Sequence, residues 1–419
     1  MRRRDAIRLL ALPALAAAGC GAGRGTIRVA VVWSGSEFTQ FRRVLRAFPS
    51  RDRWDVSVLS AGDDIAALLG NRVAGSAAPN VALVPRPQLV REHLRQLMPL
   101  RAASPDDTAW DRLLTVDGQV YGTWFKVAHK SMVWYRRDGL GVDPSHWEWN
   151  DWVAYCHDRA GQGRPPLAIG AADGWVLTDW FENVLLSLAP AVYRGLASGA
   201  RQWRNEHPAV MAALTRLGEL WQIPGVFAGG AERALLTQFD QSLLDVFEHR
   251  GGAMVAGSDF AWPFITQYTN VRPEEIGWFH FPHVARPAVL VGGDAAVLVR
   301  PDDKDGRGRH LIDWLRTAQA ADIWARTGGF LSINQQTSGY PPALLAEPLL
   351  NEVRVGSGDG GEVTFDLSDQ LGGRLSGGEG RGSFKIFKDF FADVAVRRID
   401  VGRAVQRALT AFDAAEAGI

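Results

Sequence analysis

Two α/β lobes are the architecture this sequence predicts, and three observations predict it. Residues 27–100 alternate short apolar runs with amphipathic stretches in a β-α-β-α-β order, which argues a parallel sheet. The alternation begins again after Ser131 with no internal repeat, so a second lobe follows rather than a tandem array. At 419 residues the chain is long enough for a bilobal unit, and 47% hydrophobic with 22% charged residues is ordinary globular composition.

The elements follow in order. Residues 27–33 form a first strand, apolar on both faces as parallel strands are. After the turn Ser34-Gly35-Ser36, residues 37–48 place Phe38, Phe41, Val44, Leu45 and Phe48 at helical spacing. Residues 54–60 are a second strand, 63–73 a helix, 79–85 a short third strand and 88–97 a helix. Ligand groups in such a sheet lie beyond the carboxyl ends of its strands, where Trp33, Ser34, Glu37, Asp63 and Asp64 fall. Ser36 and Asp63 read equally well as helix N-caps.

Asp117-Gly118 marks a hairpin turn between 113–116 and 119–124. Strands are expected at 131–135, 167–170, 252–256, 276–281 and 288–298, and helices at 149–160, 235–247, 310–327, 382–392 and 402–417. Residues 179–227 read as helical with proline punctuation, and 349–365 as glycine-rich and irregular.

Composition narrows the function. Formal net charge is zero, which recommends neither nucleic acid nor a strongly charged partner. Basic residues are almost all Arg, with Lys only at 126, 130, 304, 385 and 388. The 16 Trp exceed what a core requires and suit a cleft for ring-shaped ligands. At the N-terminus Arg2, Arg3, Arg4 and Arg8 precede an apolar run at 9–18, which with the small residues after it reads as a secretory signal over 1–19. Ala17-Ala18-Gly19-Cys20 resembles a bacterial lipoprotein box with Cys20 as the acylated residue, and ordinary cleavage is the other reading. Arg3-Arg4 leaves both general and twin-arginine export open. Cys156, the only other cysteine, falls in a helix as a small buried hydrophobe.

The motif search removes several chemistries. Gly356-Ser357-Gly358-Asp359-Gly360-Gly361 satisfies G-x-G-x-x-G but opens no helix, so no dinucleotide site is assigned. There is no Walker A sequence and no G-x-S-x-G elbow. His280 and His283 lack an H-E-x-x-H frame, and no metal or cofactor is expected. The stretch 174–183 sets Trp175 and Trp180 beside Asp179 and Glu182. Indole faces stack on sugar C–H faces and carboxylates accept from hydroxyls. The other reading of those residues is a helix start with packed indoles, Asp179 as N-cap and Glu182 completing a capping box.

From Val116 onward the chain resembles extracellular solute-binding protein family 1 of carbohydrate ABC transporters. Val116-Asp117-Gly118-Gln119-Val120-Tyr121-Gly122 is similar to V-D-G-K-x-Y-G, and Lys130-Ser131-Met132-Val133-Trp134-Tyr135 to K-S-x-x-W-Y. Trp149-Asn150-Asp151-Trp152 matches the helix that follows. Asp173-Gly174-Trp175 with Thr178-Asp179-Trp180-Phe181-Glu182-Asn183 resembles the D-G-W-x-x-T-D-W-F-E-N of one sugar-binding branch. Gly252-Ala253-Met254 with Ser258-Asp259-Phe260, Val291-Gly292-Gly293-Asp294, the segment at 324–332, Asp366-Leu367-Ser368-Asp369 and residues 384–391 continue in the family's order. Gln119 stands where Lys is common, Ile333 where Pro is usual, and 356–361 looks inserted.

The resemblance implies a class II periplasmic-binding-protein-like fold, two α/β lobes joined by a multi-crossing hinge that closes on ligand. Lobe one would comprise 27–129 plus 287–329 and lobe two 130–286 plus 330–419. It implies a monomeric, lipid-anchored protein on the outer membrane face that passes a carbohydrate to ABC permease subunits. Glu37, Asp64, Asp179, Asp259 and Asp294 are the candidates for hydroxyl contacts, and Trp33, Trp175, Trp180 and Trp262 for stacking. Gly292 and Gly293 would admit close backbone approach, and Arg374 would reach in from the last loop. A secreted carbohydrate-active hydrolase and a binding protein for a glycerophosphodiester or polyamine are the alternatives.

Overall fold

The computed structural model describes residues 25–70, 78–300, 305–341, 347–355, 364–375 and 382–418. The signal at 1–19, Cys20, the 356–361 loop and the Asp63 side chain lie outside the described parts. The principal strands are β1 (Gly25–Val31), β2 (Trp54–Ser60), β3 (Val81–Val84), β4 (Gly122–His129), β5 (Met132–Arg136), β6 (Leu167–Ala168), β7 (Met254–Gly257), β8 (Ile276–His280) and β9 (Val291–Val299).

The first sheet runs β2-β1-β3-β9, with β4 on the far edge of β9. β1 pairs in parallel with β2 and β3, while β9 is antiparallel to β3 and to β4. Apolar residues fill both faces: Val29 and Val31 pack with Phe41, Val44, Leu83 and Leu298 in the first core. Helix Gly35–Arg46 lies on this sheet, with Ser34 at its N-cap and Ser36 within it, so the expected Ser36 cap is one position pair too late. The second sheet runs β6-β7-β5-β8 and carries a larger, mostly helical core that includes Trp134, Trp152, Trp180, Leu214 and Phe391.

Three crossings between the lobes are seen among the described residues. β4 ends at His129 in the first sheet and β5 opens at Met132 in the second. The chain returns between Phe281, packed in the second core, and Val291, packed in the first. The third crossing departs from the expected boundary. Phe330, Leu331, Tyr340, Leu350, Val353 and Phe365 pack into the first core, and Leu331 pairs with Val127 of β4. Leu367 is the first residue after them in the second core. These six side chains therefore pack with the first core, while Leu349 between them packs into the second.

Local chemistry explains the other differences. Asp117 and Gly118 both have positive φ, 48° and 71°, the backbone of the expected tight hairpin. The helix expected over 310–327 is two, Arg307–Leu315 and Ala318–Ala325. Thr317 caps the second by accepting from Ala320 N at 3.2 Å, a local bond that competes with continuous helix. Glu347–Val355 is helical where irregular chain is expected. Helix Gly174–Leu188 starts five residues before Asp179, with Asp173 as its N-cap residue, so the Asp179–Glu182 capping box does not form. Gly174 is required small: a Cβ there would lie 2.4 Å from Phe384 Cβ.

Candidate functional site

Between the lobes lies a cavity of about 280 Å³. Lobe one contributes Trp33, Glu37, Arg86, Lys126, Gly293 and Asp294; lobe two contributes Lys130, Trp175, Phe260 and Phe384; the third crossing contributes Asp366, Ser368 and Asp369. Trp33 follows the carboxyl end of β1, and Glu37 sits in the first turn of the next helix, its carboxylate at the positive end of the helix dipole.

A bulge sets the floor on the lobe-one side. The pairing of β9 with β4 shifts between Asp294, opposite Lys126, and Ala295, opposite Trp124, leaving Phe125 as the extra residue. Such a bulge redirects side chains, and here Lys126 and Asp294 both reach the cavity. Lys126 is ion-paired with Glu37, and its Nζ lies 5.1 Å from the Phe260 ring centre and 5.9 Å from that of Trp33. Trp33 Nε1 donates to Asp294 Oδ2 at 3.2 Å. Burial alone would lower the Lys126 pKa, but Glu37, Asp294 and Asp259 raise it instead. Burial pushes Asp294 up to about 6 and Asp259 up to about 7, against the pull of Lys126.

Lys130 anchors the opposite side. It is ion-paired with Asp366, lies 3.2 Å from Asp179 Oδ1 and 4.0 Å from Asp369 Oδ2, and sits over the Trp175 ring. Burial opposes its charge, yet the three carboxylates hold its pKa well above the usual value. Asp366 would be raised by burial, but Lys130 and hydrogen bonds from Ser368 and the Asp369 N–H hold it below its ordinary value. Asp369 goes the other way, to about 7, through burial and the neighbouring Asp366 charge.

The turn bearing these groups is held from behind by Glu182. Its Oε2 accepts from Tyr193 Oη at 2.8 Å and Leu367 N at 2.5 Å, and its Oε1 from Ser368 N at 3.0 Å. Glu182 is 1% exposed and does not line the cavity. Burial, then Asp366 and Asp179, hold its pKa well above that of a free Glu.

The candidates from the sequence fall into three groups. Trp33, Glu37, Trp175, Gly293 and Asp294 line the cavity. Asp179, Asp259 and Gly292 stand behind it. Asp179 pairs with Lys130, and Asp259 Oδ1 accepts from His129 N at 2.8 Å. A Cβ on Gly292 would meet Lys130 Cε at 2.9 Å, so that glycine makes room for the lysine stem rather than for a ligand. The remaining four do not line it. Trp180 is 1% exposed and stacks on Trp152 at 5.0 Å and 25° within the second core. Trp262 is buried beside Trp134, Asp64 is exposed at the end of a short 3-10 turn, and Arg374 lines a separate outer cavity.

Lys126, Lys130, Arg86, Phe260, Phe384, Asp366, Ser368 and Asp369 were not among the candidates. A signal for two of them existed: in a chain that uses Arg almost throughout, lysines at 126 and 130 stand out.

Among the described residues, His129, His280 and Glu352 bring potential metal donors within 4.8 Å of one another. Ser131 N–H donates to His129 Nδ1 at 3.3 Å, which leaves the proton on Nε2, facing Glu352 Oε2 at 3.0 Å. His280 Nε2 meets the same oxygen at 3.1 Å. The trio is a hydrogen-bonded clasp across the hinge. Burial would raise Glu352, but the two histidines hold it at about 2.

No family model matches the chain. It is 27% identical over 387 residues to the osmoprotective compounds-binding protein GgtB of Synechocystis sp., spanning 85% of this chain and 86% of that protein. It is 25% identical over 390 residues to the alpha-glucosides-binding periplasmic protein AglE of Rhizobium meliloti, spanning 84% and 81%. Among solved structures, a chitin oligosaccharide binding protein aligns with TM-score 0.72 at 14% identity over 94% of this chain and 100% of that one. RafE in complex with raffinose aligns with TM-score 0.67 at 16% identity over 93% and 99%. The fold is the two-lobed solute-binding α/β fold, and no helix among the described residues is long and apolar enough to cross a membrane.

Proposed function

We propose that this chain, a homologue of extracellular solute-binding proteins of ABC transporters, captures a neutral carbohydrate between its lobes and delivers it to a membrane permease. One observation carries the reading: the interlobe cavity sets aromatic faces, Trp33, Trp175, Phe260 and Phe384, beside lysines and carboxylates that are already paired with one another. Aromatic faces take the C–H side of a sugar ring, while paired Lys and Asp groups offer both donors and acceptors to its hydroxyls. Groups on both lobes would contact one ligand, so binding favours closure, and apparent affinity follows the population of the closed state.

The same charges argue against an anionic ligand. Lys126 and Lys130 are already ion-paired with carboxylates, so neither is left to match the single negative charge of a phosphodiester, and the carboxyl groups of Asp294 and Asp369 offer it no counter-charge. The name of AglE, an alpha-glucosides-binding protein, favours a small glycoside over a long polysaccharide. Cys20 is the proposed lipid anchor after removal of 1–19, the protein acts as a monomer outside the membrane, and its role is binding without turnover. Thermal-shift screening across sugars, glycerophosphodiesters and polyamines tests the reading. A shift with neutral sugars supports it; a shift confined to polyamines or phosphodiesters, or release of products from an oligosaccharide, defeats it.

A further inference from the structure

Beside the cavity, lobe one meets lobe two at Gly329. This residue follows helix Ala318–Ala325 and precedes Phe330, which packs in the first core. Opposite it lie Phe260 and Pro263, at the start of helix Ala261–Tyr268 of lobe two. Gly329 has φ +65°, and a Cβ on it would lie 2.5 Å from Pro263 Cγ, 2.7 Å from Pro263 Cδ and 3.1 Å from Phe260 Cα. Carbon atoms in contact sit about 3.5–4.0 Å apart, so even one methyl group is excluded there. Only glycine lets the two backbones approach this closely.

Both sides of this contact are held firmly, and both lead to the cavity. Ala261, Trp262 and Ile265 are buried in the second core, so their helix cannot step aside on its own. Neither the Pro263 ring nor the Phe260 backbone can swing away as a long side chain would. On lobe one, Trp324 packs edge-on to Trp33 with ring centres 4.9 Å apart, which ties the Gly329 turn to the cavity wall. Phe260 is itself a cavity wall, its ring centre 5.1 Å from Lys126 Nζ on the other lobe.

We propose that Gly329 is a positioning residue for ligand binding. It does not line the cavity, but its missing side chain lets lobe two come near enough to set Phe260 over Lys126 and shut the cavity. A side chain at 329 would prop the lobes apart, and apparent affinity falls with the fraction of molecules able to close. This rests on the carbohydrate reading, which supplies the ligand that reports closure.

Calorimetry on the full protein, with a neutral sugar that binds the unaltered chain in a thermal-shift screen, tests this. Gly329→Ala should weaken binding about tenfold or more. The positive φ strains alanine wherever its neighbours lie, so Pro263→Ala is the discriminating partner. It removes the ring carbons that the new methyl meets and leaves the backbone strain in place. Pro263 sits in the first turn of its helix, a position that alanine fills without loss. Affinity of the double variant should return to within about threefold of Pro263→Ala alone. Gly329→Asn adds the same Cβ on a residue that accepts left-handed backbone more readily, and it should lose affinity likewise if the alanine protein does not fold. Unaltered affinity in a folded Gly329 variant, or a loss that Pro263→Ala leaves in place, would overturn the inference and leave the carbohydrate reading intact. Binding of no neutral sugar by the unaltered protein would instead bring down the carbohydrate reading, and this inference with it.

Discussion

Lys130, on the first crossing between the lobes, is ion-paired with Asp366, on the third. One buried ammonium thus ties two hinge strands together and forms part of the cavity floor. Its further contacts with Asp179 and Asp369 bring a lobe-two helix into the same cluster.

Lys130→Met should cost about 3–5 kcal/mol in urea denaturation, because it leaves buried carboxylates without their counter-charge. Adding Asp366→Asn should recover a large part of that loss, since the two residues act as one unit. Full additivity of the two changes would mean that the pair is not coupled.

Glu182 reaches no ligand, yet it should matter to binding. Glu182→Ala leaves the Leu367 and Ser368 N–H groups without their shared acceptor, at about 1–3 kcal/mol for each, while the Tyr193 hydroxyl keeps the Phe365 carbonyl at 2.9 Å. Sugar affinity of the folded variant should fall with it, because the turn carrying Asp366 and Asp369 loses its support. Unchanged affinity in a folded Glu182 variant would confine that residue to stability.

Trp175 and Trp180, five positions apart on one helix, should part company. Trp180→Ala empties a stack with Trp152 and should cost about 3–5 kcal/mol of stability with little effect on affinity in the protein that folds. Trp175→Ala should do the reverse, losing about tenfold or more in sugar affinity. Denaturation curves and calorimetry on both variants provide the comparison.

That contrast also shows what the sequence could and could not display. Strand and helix order was legible because apolar periodicity is a local property, and the Asp117-Gly118 turn because both residues tolerate positive φ. Trp175 and Trp180 look alike in sequence. Only the helix phase and the partner Trp152, 28 positions before Trp180, decide which indole faces the cavity. The packing of Phe330, Leu331, Leu350, Val353 and Phe365 on the first core was not legible, because it is a set of long-range contacts. Asp366 and Asp369 fall in a recognisable motif, but the lysine that binds them lies more than 230 positions away, at 130.

Asp259 predicts a pH effect. Its folded pKa, about 7, lies above the ordinary 3.8, so the folded state holds its proton more tightly than the unfolded chain. Its contribution is full below about pH 4 and is lost as pH rises through 7. The melting temperature of the unliganded protein should therefore fall, relative to that of Asp259→Asn, between pH 4 and 8. Asn keeps the oxygen that accepts from His129 N. A constant difference between the two curves across that range would show that Asp259 does not titrate there.

The cleft between the lobes is proposed to bind a neutral sugar. Trp33 and Trp175 line that cleft, so intrinsic fluorescence followed during titration with neutral mono- and disaccharides reads it directly. The expected result is a saturable change at one sugar per chain for at least one of them, greatly weakened in Trp175→Ala. No response to any neutral sugar, alongside saturable binding of a polyamine or a glycerophosphodiester, would contradict it.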